Sequence, residues 1–369
     1  MTELAVGVVG AGWMATDYHV PAFTSHPRTR VVAFAERDSD RRATVEREQS
    51  LPGYGDAESM LAAHDLDVVS ICTPPSTHEA IFLQAVEAGC HVLCEKPLAL
   101  TAESARRMAT AADEAGVVTQ VGYLHRYYRN YERALELLSN DMLGDIVEVS
   151  IAHHSAPPSV GWYYDPALSG GGVARDLFPH SLDVLFELFG EDCTVTDASV
   201  RHLRDRAVED AARVSLSFDG TAASGGSSDE RGESDGVSAD DGGSSDEHSE
   251  SDGVPVELSA TWTQTEGVTR VLVVGTEGWL ELDSETLQGD IHGRPFEYQH
   301  GELPLVDIGV ANLFGATDED AHTARLHDFA DHAAAGDRET AAPASRGVAV
   351  AEVIDAVYGQ CSVDWGAEP

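Results

Sequence analysis

The sequence predicts an α/β protein in two parts: an N-terminal Rossmann-type doubly wound parallel sheet, followed by a C-terminal α+β region with a largely antiparallel, open-faced sheet. Three observations carry this. Short β-rich runs alternate with helical segments from residue 4 to about 122, the order that right-handed crossovers build into a parallel sheet. A glycine-rich turn follows the first run directly. After residue 145 the apolar runs lengthen and begin to alternate with polar residues, as in a sheet with one covered face. At 369 residues the chain also exceeds the roughly 250–300 at which a single core stops growing.

The expected N-terminal strands are 4–9, 30–35, 68–72, 91–94 and 117–121, with helices near 14–24, 38–49, 76–88 and 101–115 between them. An amphipathic segment at 127–139 leads out, so the division is placed at 1–123 and 124–369. Strands follow at 145–154, 194–202, 211–218, 254–263, 268–275 and 278–283, the last two joined by the Gly275–Gly278 hairpin. Helices near 322–335 and 344–360 close the chain. Between the strands ending at Phe218 and beginning at Val254 lies a Gly, Ser, Asp and Glu tract at about 219–254 with near-duplicate hexapeptides, too polar to order itself and expected to be a solvated insert. Val256, Leu258, Trp262, Val271 and Val273 supply more apolar surface than a solvated sheet face needs, which predicts a homodimer or homotetramer.

The formal charge of −41, from 64 acidic and 23 basic residues, argues against nucleic acid and anionic membranes as partners, because phosphate contacts need Lys and Arg. Such an acid excess repels itself unless salt screens it, which points to a halophile's salt-filled cytoplasm. The apolar start lacks a basic leader and carries Glu3, so no export is expected. Cys72, Cys90, Cys94, Cys193 and Cys361 are odd in number and lack paired metal spacing; Cys90 to Cys94 fall on an expected buried strand, where alternate side chains face opposite ways. No metal is called for. One feature is sharper than any total: Lys96 is the only lysine. A lysine kept where every other such cation is arginine suggests proton exchange, which arginine does not perform.

Gly10-Ala11-Gly12-Trp13-Met14-Ala15 sits between an expected strand and an expected helix, as a dinucleotide fingerprint must. The first glycine allows the turn, the second lets backbone approach a pyrophosphate, and the small last residue allows close packing. Glu36, at the end of the second strand, would accept from ribose hydroxyls and repel a 2′-phosphate, favouring NAD, whereas the adjacent Arg37 could hold that phosphate and admit NADP. Thr73, Pro74, Pro75 and His78 follow the third strand, and Glu95 and Lys96 the fourth, both at carboxyl ends where open α/β sheets bind ligands.

Thr73-Pro74-Pro75-Ser76-Thr77-His78 and Glu95-Lys96-Pro97, continued by Gly122-Tyr123-Leu124-His125-Arg126-Tyr127 and Ser169-Gly170-Gly171-Gly172, resemble the Gfo/Idh/MocA family of glucose–fructose oxidoreductase and inositol dehydrogenase. Gly172 to His180 is similar to that family's Gly-x-x-x-Asp-x-Gly-x-His signature, with Phe178 and Pro179 as departures. The spacing of Asp176 and His180 places both on one helix face if Pro179 falls in the first turn; otherwise Asp176 is an N-cap and His180 a surface residue. The resemblance implies a cis proline after Lys96, association through the second sheet, and an NAD(P)-dependent dehydrogenase of a sugar, sugar derivative or cyclic polyol. It implies His180 as the base, Asp176 orienting it and Lys96 polarising the reacting oxygen; Arg126, His154 and Trp162 are secondary substrate-pocket candidates. A redox-neutral NAD-dependent glycosidase or epimerase, and a sugar- or dinucleotide-sensing protein without turnover, are the alternatives.

Overall fold

The computed structural model describes residues 3–219, 253–264, 267–283, 286–299 and 320–361. The acidic tract falls almost wholly outside them. Its flanks are direct partners, Phe218 pairing with Val254 across two antiparallel strands.

The first sheet contains β1 (Leu4–Val9), β2 (Thr29–Ala35), β3 (Gly53–Tyr54), β4 (Val68–Ile71), β5 (His91–Cys94) and β6 (Thr119–Val121). All pair parallel, in the order β3-β2-β1-β4-β5-β6. The order reverses between β1 and β4, so a crevice opens beyond their carboxyl ends. Runs such as Val68–Ile71 are buried at every position because helices cover both faces. A π-helical turn, Ala15–His19, leads into α1 (Val20–Ser25); α2 (Ser39–Gln49), α3 (Ala57–Ala63), α4 (His78–Glu87) and α5 (Ala102–Ala115) follow. Capping explains several boundaries. Asp38 accepts from Asp40 and Arg41 N–H at the start of α2, Thr101 accepts from Ser104 N–H at α5, and Gly116 ends α5 in the left-handed region.

The chain then forms α6 (Arg129–Ser139), β7 (Ile146–His154), α7 (Pro166–Ser169), α8 (Val173–Phe189), β8 (Cys193–Arg201), β9 (Ala211–Phe218), β10 (Val254–Thr261), β11 (Val268–Gly275), β12 (Gly278–Leu282), β13 (Thr286–Ile291) and β14 (Arg294–Gln299). Among the described residues the second sheet has eight strands in the order β14-β13-β12-β11-β7-β10-β9-β8. Every pair is antiparallel except β10 with β7. α6 and α8 pack on one face.

That covered face corrects one expectation. Val256, Leu258, Trp262, Val271 and Val273 are all 5% exposed or less, because strand alternation turns them toward the chain's own helices. They are core, not an exposed patch. The closing helices, α9 (Ala321–Ala335) and α10 (Ala344–Gln360), return to the first sheet's layers, α9 against α1 and α10 against α5, and Val121 N–H donates to the Ala342 carbonyl. α9 thereby brings His322 and Arg325 to the crevice.

Candidate active site

A cleft of about 1290 Å³ lies at the crevice, walled by Gly10–Met14, Glu36, Arg37, Thr73, Pro74, Glu95 and Lys96 on one side and by Trp162, Tyr163, Leu168 and His180 on the other. Its first end has the shape a dinucleotide needs. Gly10 has φ +93° and a Cβ there would strike the Cys72 carbonyl, whereas nothing lies within 4 Å of the position a Cβ on Gly12 would take. That open side lets a pyrophosphate approach the backbone. Glu36 is buried to 8% exposure, accepting from Ala11 N–H at 3.1 Å and Asp38 N–H at 2.9 Å. It therefore braces the glycine turn as well as facing the cleft. Arg41, which sequence reasoning missed, lies 3.6 Å from Glu36 and lines the cleft beside Arg37.

Two motif residues have a different place from the one expected. His78 does not line the cleft; fully buried, its Nδ1 is 2.9 Å from the Pro97 carbonyl and its Nε2 2.8 Å from the Thr73 carbonyl. It ties the two loops together. Pro75 is buried in the short 3-10 turn behind Thr73 and Pro74 and likewise does not line the cleft. The Lys96–Pro97 peptide is cis.

Lys96 projects between the two sheets. Its Nζ donates to Asp176 Oδ1 at 2.5 Å and to the Asp176 carbonyl at 2.8 Å, and Trp262 Nε1 donates to Asp176 Oδ2 at 3.3 Å. The doubt over Pro179 resolves in an unexpected way. Pro179 lies inside α8, past the first turn, and the helix runs on through it; a proline there removes an N–H and displaces the carbonyls one turn back. Asp176 and His180 still share a face, and Lys96 takes up the Asp176 carbonyl. Asp176 is not the N-cap. Gly172 is, and Glu209, which no local pattern signalled, supplies the capping carboxylate to Gly172 and Ala174 N–H at 2.9 and 3.1 Å.

His180 is half-buried at the cleft wall and stacks on His125, with centroids 4.8 Å apart. Its Nδ1 accepts from Leu124 N–H at 3.3 Å. Burial first, then Lys96, His125 and His153, push its pKa well below the usual imidazole value. His153 joins this cluster 5.2 Å from His125, with its pKa pushed down to about 4 by burial. This corrects the choice of His154: on β7, Val149, Ile151 and His153 share the inner face, so His154 points to the other side. Arg126 is also displaced. Its guanidinium forks onto Asp183 at 2.8 and 2.7 Å and reaches Glu187 at 3.2 Å, outside the cleft lining. Trp162 lines the cleft wall, stacked on Tyr163 at 3.8 Å.

Beneath Lys96 lies a buried network. Glu95 Oε1 is 2.7 Å from Arg325 and 3.1 Å from His19 Nε2, whose Nδ1 is 2.7 Å from Ser70 Oγ. Glu95 Oε2 accepts from Lys96 N–H at 3.3 Å. Burial pushes the Glu95 carboxyl up, but Arg325 and His19 outweigh it and hold the group well below the carboxylate range. Gly122 makes room, since a Cβ there would lie 2.5 Å from Arg325.

Fold and site together define a two-sheet protein with a dinucleotide cleft at the switch point of a doubly wound sheet. Residues 4–123 match the family model for the NAD-binding Rossmann fold of the GFO/IDH/MocA oxidoreductases, and residues 131–234 match the GFO/IDH/MocA C-terminal domain, together more than half of the chain. The chain belongs to the Gfo/Idh/MocA oxidoreductase family. It is 33% identical over 192 residues to D-glucoside 3-dehydrogenase of Escherichia coli K12, covering 51% of this chain and 55% of that one. It is 30% identical over 213 residues to inositol 2-dehydrogenase of Pseudomonas syringae, covering 55% and 62%. The matches thus span little more than half the length of these curated relatives. Among solved structures, GenD2 from gentamicin A biosynthesis, in complex with NAD, superposes with a TM-score of 0.75 at 25% identity over 98% of this chain and 94% of that one. Aldose-aldose oxidoreductase from Caulobacter crescentus shares the fold at a TM-score of 0.77 and 22% identity over 97% of both chains.

Proposed function

We propose that the protein is an NAD(P)-dependent dehydrogenase that oxidises a secondary or anomeric hydroxyl of a sugar, sugar derivative or cyclic polyol. The carrying observation is the Lys96–Asp176 pair, one partner from each sheet region, at the inner end of a dinucleotide cleft. Residues 1–123 form the cofactor-binding domain and 124–369 the substrate domain, with α9 returned across the first. NAD(P), when bound, supplies the hydride acceptor. The glycine turn, Glu36 and the Thr73–Pro74 loop are the residues that would hold it.

The hydrogen bonding supports a different distribution of roles from the one that the family resemblance implies. Because His180 Nδ1 accepts a backbone N–H, the neutral ring carries its proton on Nε2, and burial keeps the ring neutral. His180 therefore donates to the substrate oxygen and does not take its proton. That proton passes to Lys96 Nζ as Lys96 hands one to Asp176 Oδ1, so the pair ends with the carboxyl protonated and the lysine unchanged. Trp262 fixes the other carboxylate oxygen. In support, His180→Asn should keep the ascending limb of the kcat–pH profile at the same pH, with kcat lowered about tenfold by a poorer donor. Loss of that limb in the variant would return the base role to His180.

NAD is the preferred cofactor, since the Glu36 carboxylate on the cleft wall would repel a 2′-phosphate, while Arg41 and Arg37 leave NADP admissible. Glu36→Gln retains an acceptor for Ala11 N–H and removes the charge; the Kd ratio of NADP to NAD should fall roughly tenfold, about 1.4 kcal/mol. An unchanged ratio would take Glu36 out of cofactor choice. The protein is also proposed to be a cytoplasmic homo-oligomer of a halophile that associates through the open face of the second sheet, where Val147, Val268 and Trp279 are exposed; light scattering in molar KCl tests it. The activity is tested by NADH formation from NAD and a panel of sugars and polyols in high KCl. No redox turnover with any of them would refute the reading.

A further inference from the structure

We propose that the substrate of this site is an electrically neutral sugar or polyol, and that uronates and sugar phosphates are excluded by the charge balance of the pocket. The inference rests on the dehydrogenase reading and narrows it. An anionic substrate needs an uncommitted cation, because a carboxylate or phosphate taken out of water without one carries a desolvation penalty of several kcal/mol. The cations around the inner cleft are already matched. Lys96 spends two of its three N–H donors on Asp176, leaving one for a single substrate oxygen. Arg325, 1% exposed, is held by Glu95.

Arg126 is forked onto Asp183, and Arg206 lies 4.0 Å over the Tyr164 ring and 3.5 Å from Asp210. Arg37 and Arg41 stand with Glu36 at the opposite, adenosine end. Outside the described residues the sequence has one arginine, Arg231 within the acidic tract, and no lysine. An anion in the pocket would face Asp176 and Glu95 with no counter-charge of its own, or would have to break a buried pair.

What the inner cleft does offer suits neutral hydroxyls. His180 Nε2–H and the remaining Lys96 N–H are donors for one oxygen, and the stacked rings of Trp162 and Tyr163 with Leu168 give an apolar wall for the C–H face of a sugar ring.

The test uses matched pairs on the full chain with NADH or NAD in KCl from low to molar concentration: methyl glucoside against methyl glucuronide, and glucose against glucose 6-phosphate. Equilibrium binding, read by tryptophan fluorescence, decides this proposal, while turnover decides the dehydrogenase reading, so the two fail separately. The neutral member of each pair should bind at least about a hundredfold tighter, and the ratio should persist in molar salt, since buried pairs are poorly screened. Leu168→Arg, which adds a free cation to the pocket wall, should narrow the gap about tenfold. Equal or tighter binding of the anionic members overturns the proposal, as does a preference that vanishes in salt, which would place the exclusion in the acidic surface.

Discussion

Lys96→Arg should fold, bind NAD with a Kd close to that of the wild type, and lose turnover by about a thousandfold. Arginine would keep the charge and could fork onto Asp176, so both the fold and the cleft's electrostatics survive. What it cannot do is exchange a proton, because its pKa lies above 12. General acid–base groups contribute about 10²–10⁴ in rate, and Lys96 is the group through which the substrate proton reaches Asp176 Oδ1, 2.5 Å away. The measurement is kcat under saturating NAD alongside cofactor binding and a melting curve. A variant within tenfold of wild-type kcat would reduce Lys96 to a point charge. The sequence offers an independent check, since Lys96 is the only lysine: amine-directed acylation has one side-chain target, and loss of activity should track its modification and be slowed by bound NAD.

Most of this arrangement was legible where structure is local. The glycine turn, Glu36, Lys96, Asp176, His180 and Trp162 are written in short motifs at strand ends or on one helix, and the residues deliver themselves once the strands form. The β1 and β5 boundaries follow because each is an apolar run ended by a turn. β3 escaped because two residues, Gly53 and Tyr54, make no pattern, and α3 behind it is brief. β13 escaped because Gln288-Gly289-Asp290 reads as a turn; Gly289 is needed there, as a Cβ would lie 2.2 Å from the Trp279 carbonyl. Residues that reach the site across long separations left weaker traces. Arg325 could have been suspected from its place beside Leu326 and Phe329 on a helix face that buries its apolar residues, and His153 from strand alternation. Glu209 offers no such signal: it caps α8 from a loop before β9. The tautomer of His180 depends on the Leu124 N–H, which only the folded chain brings to it.

Arg325→Met should cost about 3–5 kcal/mol of stability, the range for leaving one member of a buried ion pair alone, measured by denaturant unfolding at constant high salt. Arg325 lies on α9 and Glu95 after β5, so the pair also fastens α9 to the first sheet. The pH dependence should invert with it. In the wild type the Glu95 carboxyl is held below its unfolded value near 4.3, so its contribution is present above that pH and is lost on acidification. In the variant, burial prevails and raises the carboxyl above its unfolded value. Its protonated form is then the tolerated one, so the stability gap to the wild type should shrink as pH falls toward 5. His19 and the Lys96 N–H remain as partners, and burial of His19 keeps its pKa below the usual imidazole value. Adding Glu95→Gln to Arg325→Met should recover part of the loss, because the uncompensated charge is gone. If the double variant is no more stable than the single one, and the pH dependence keeps its wild-type sign, Glu95 is not the charge that Arg325 balances.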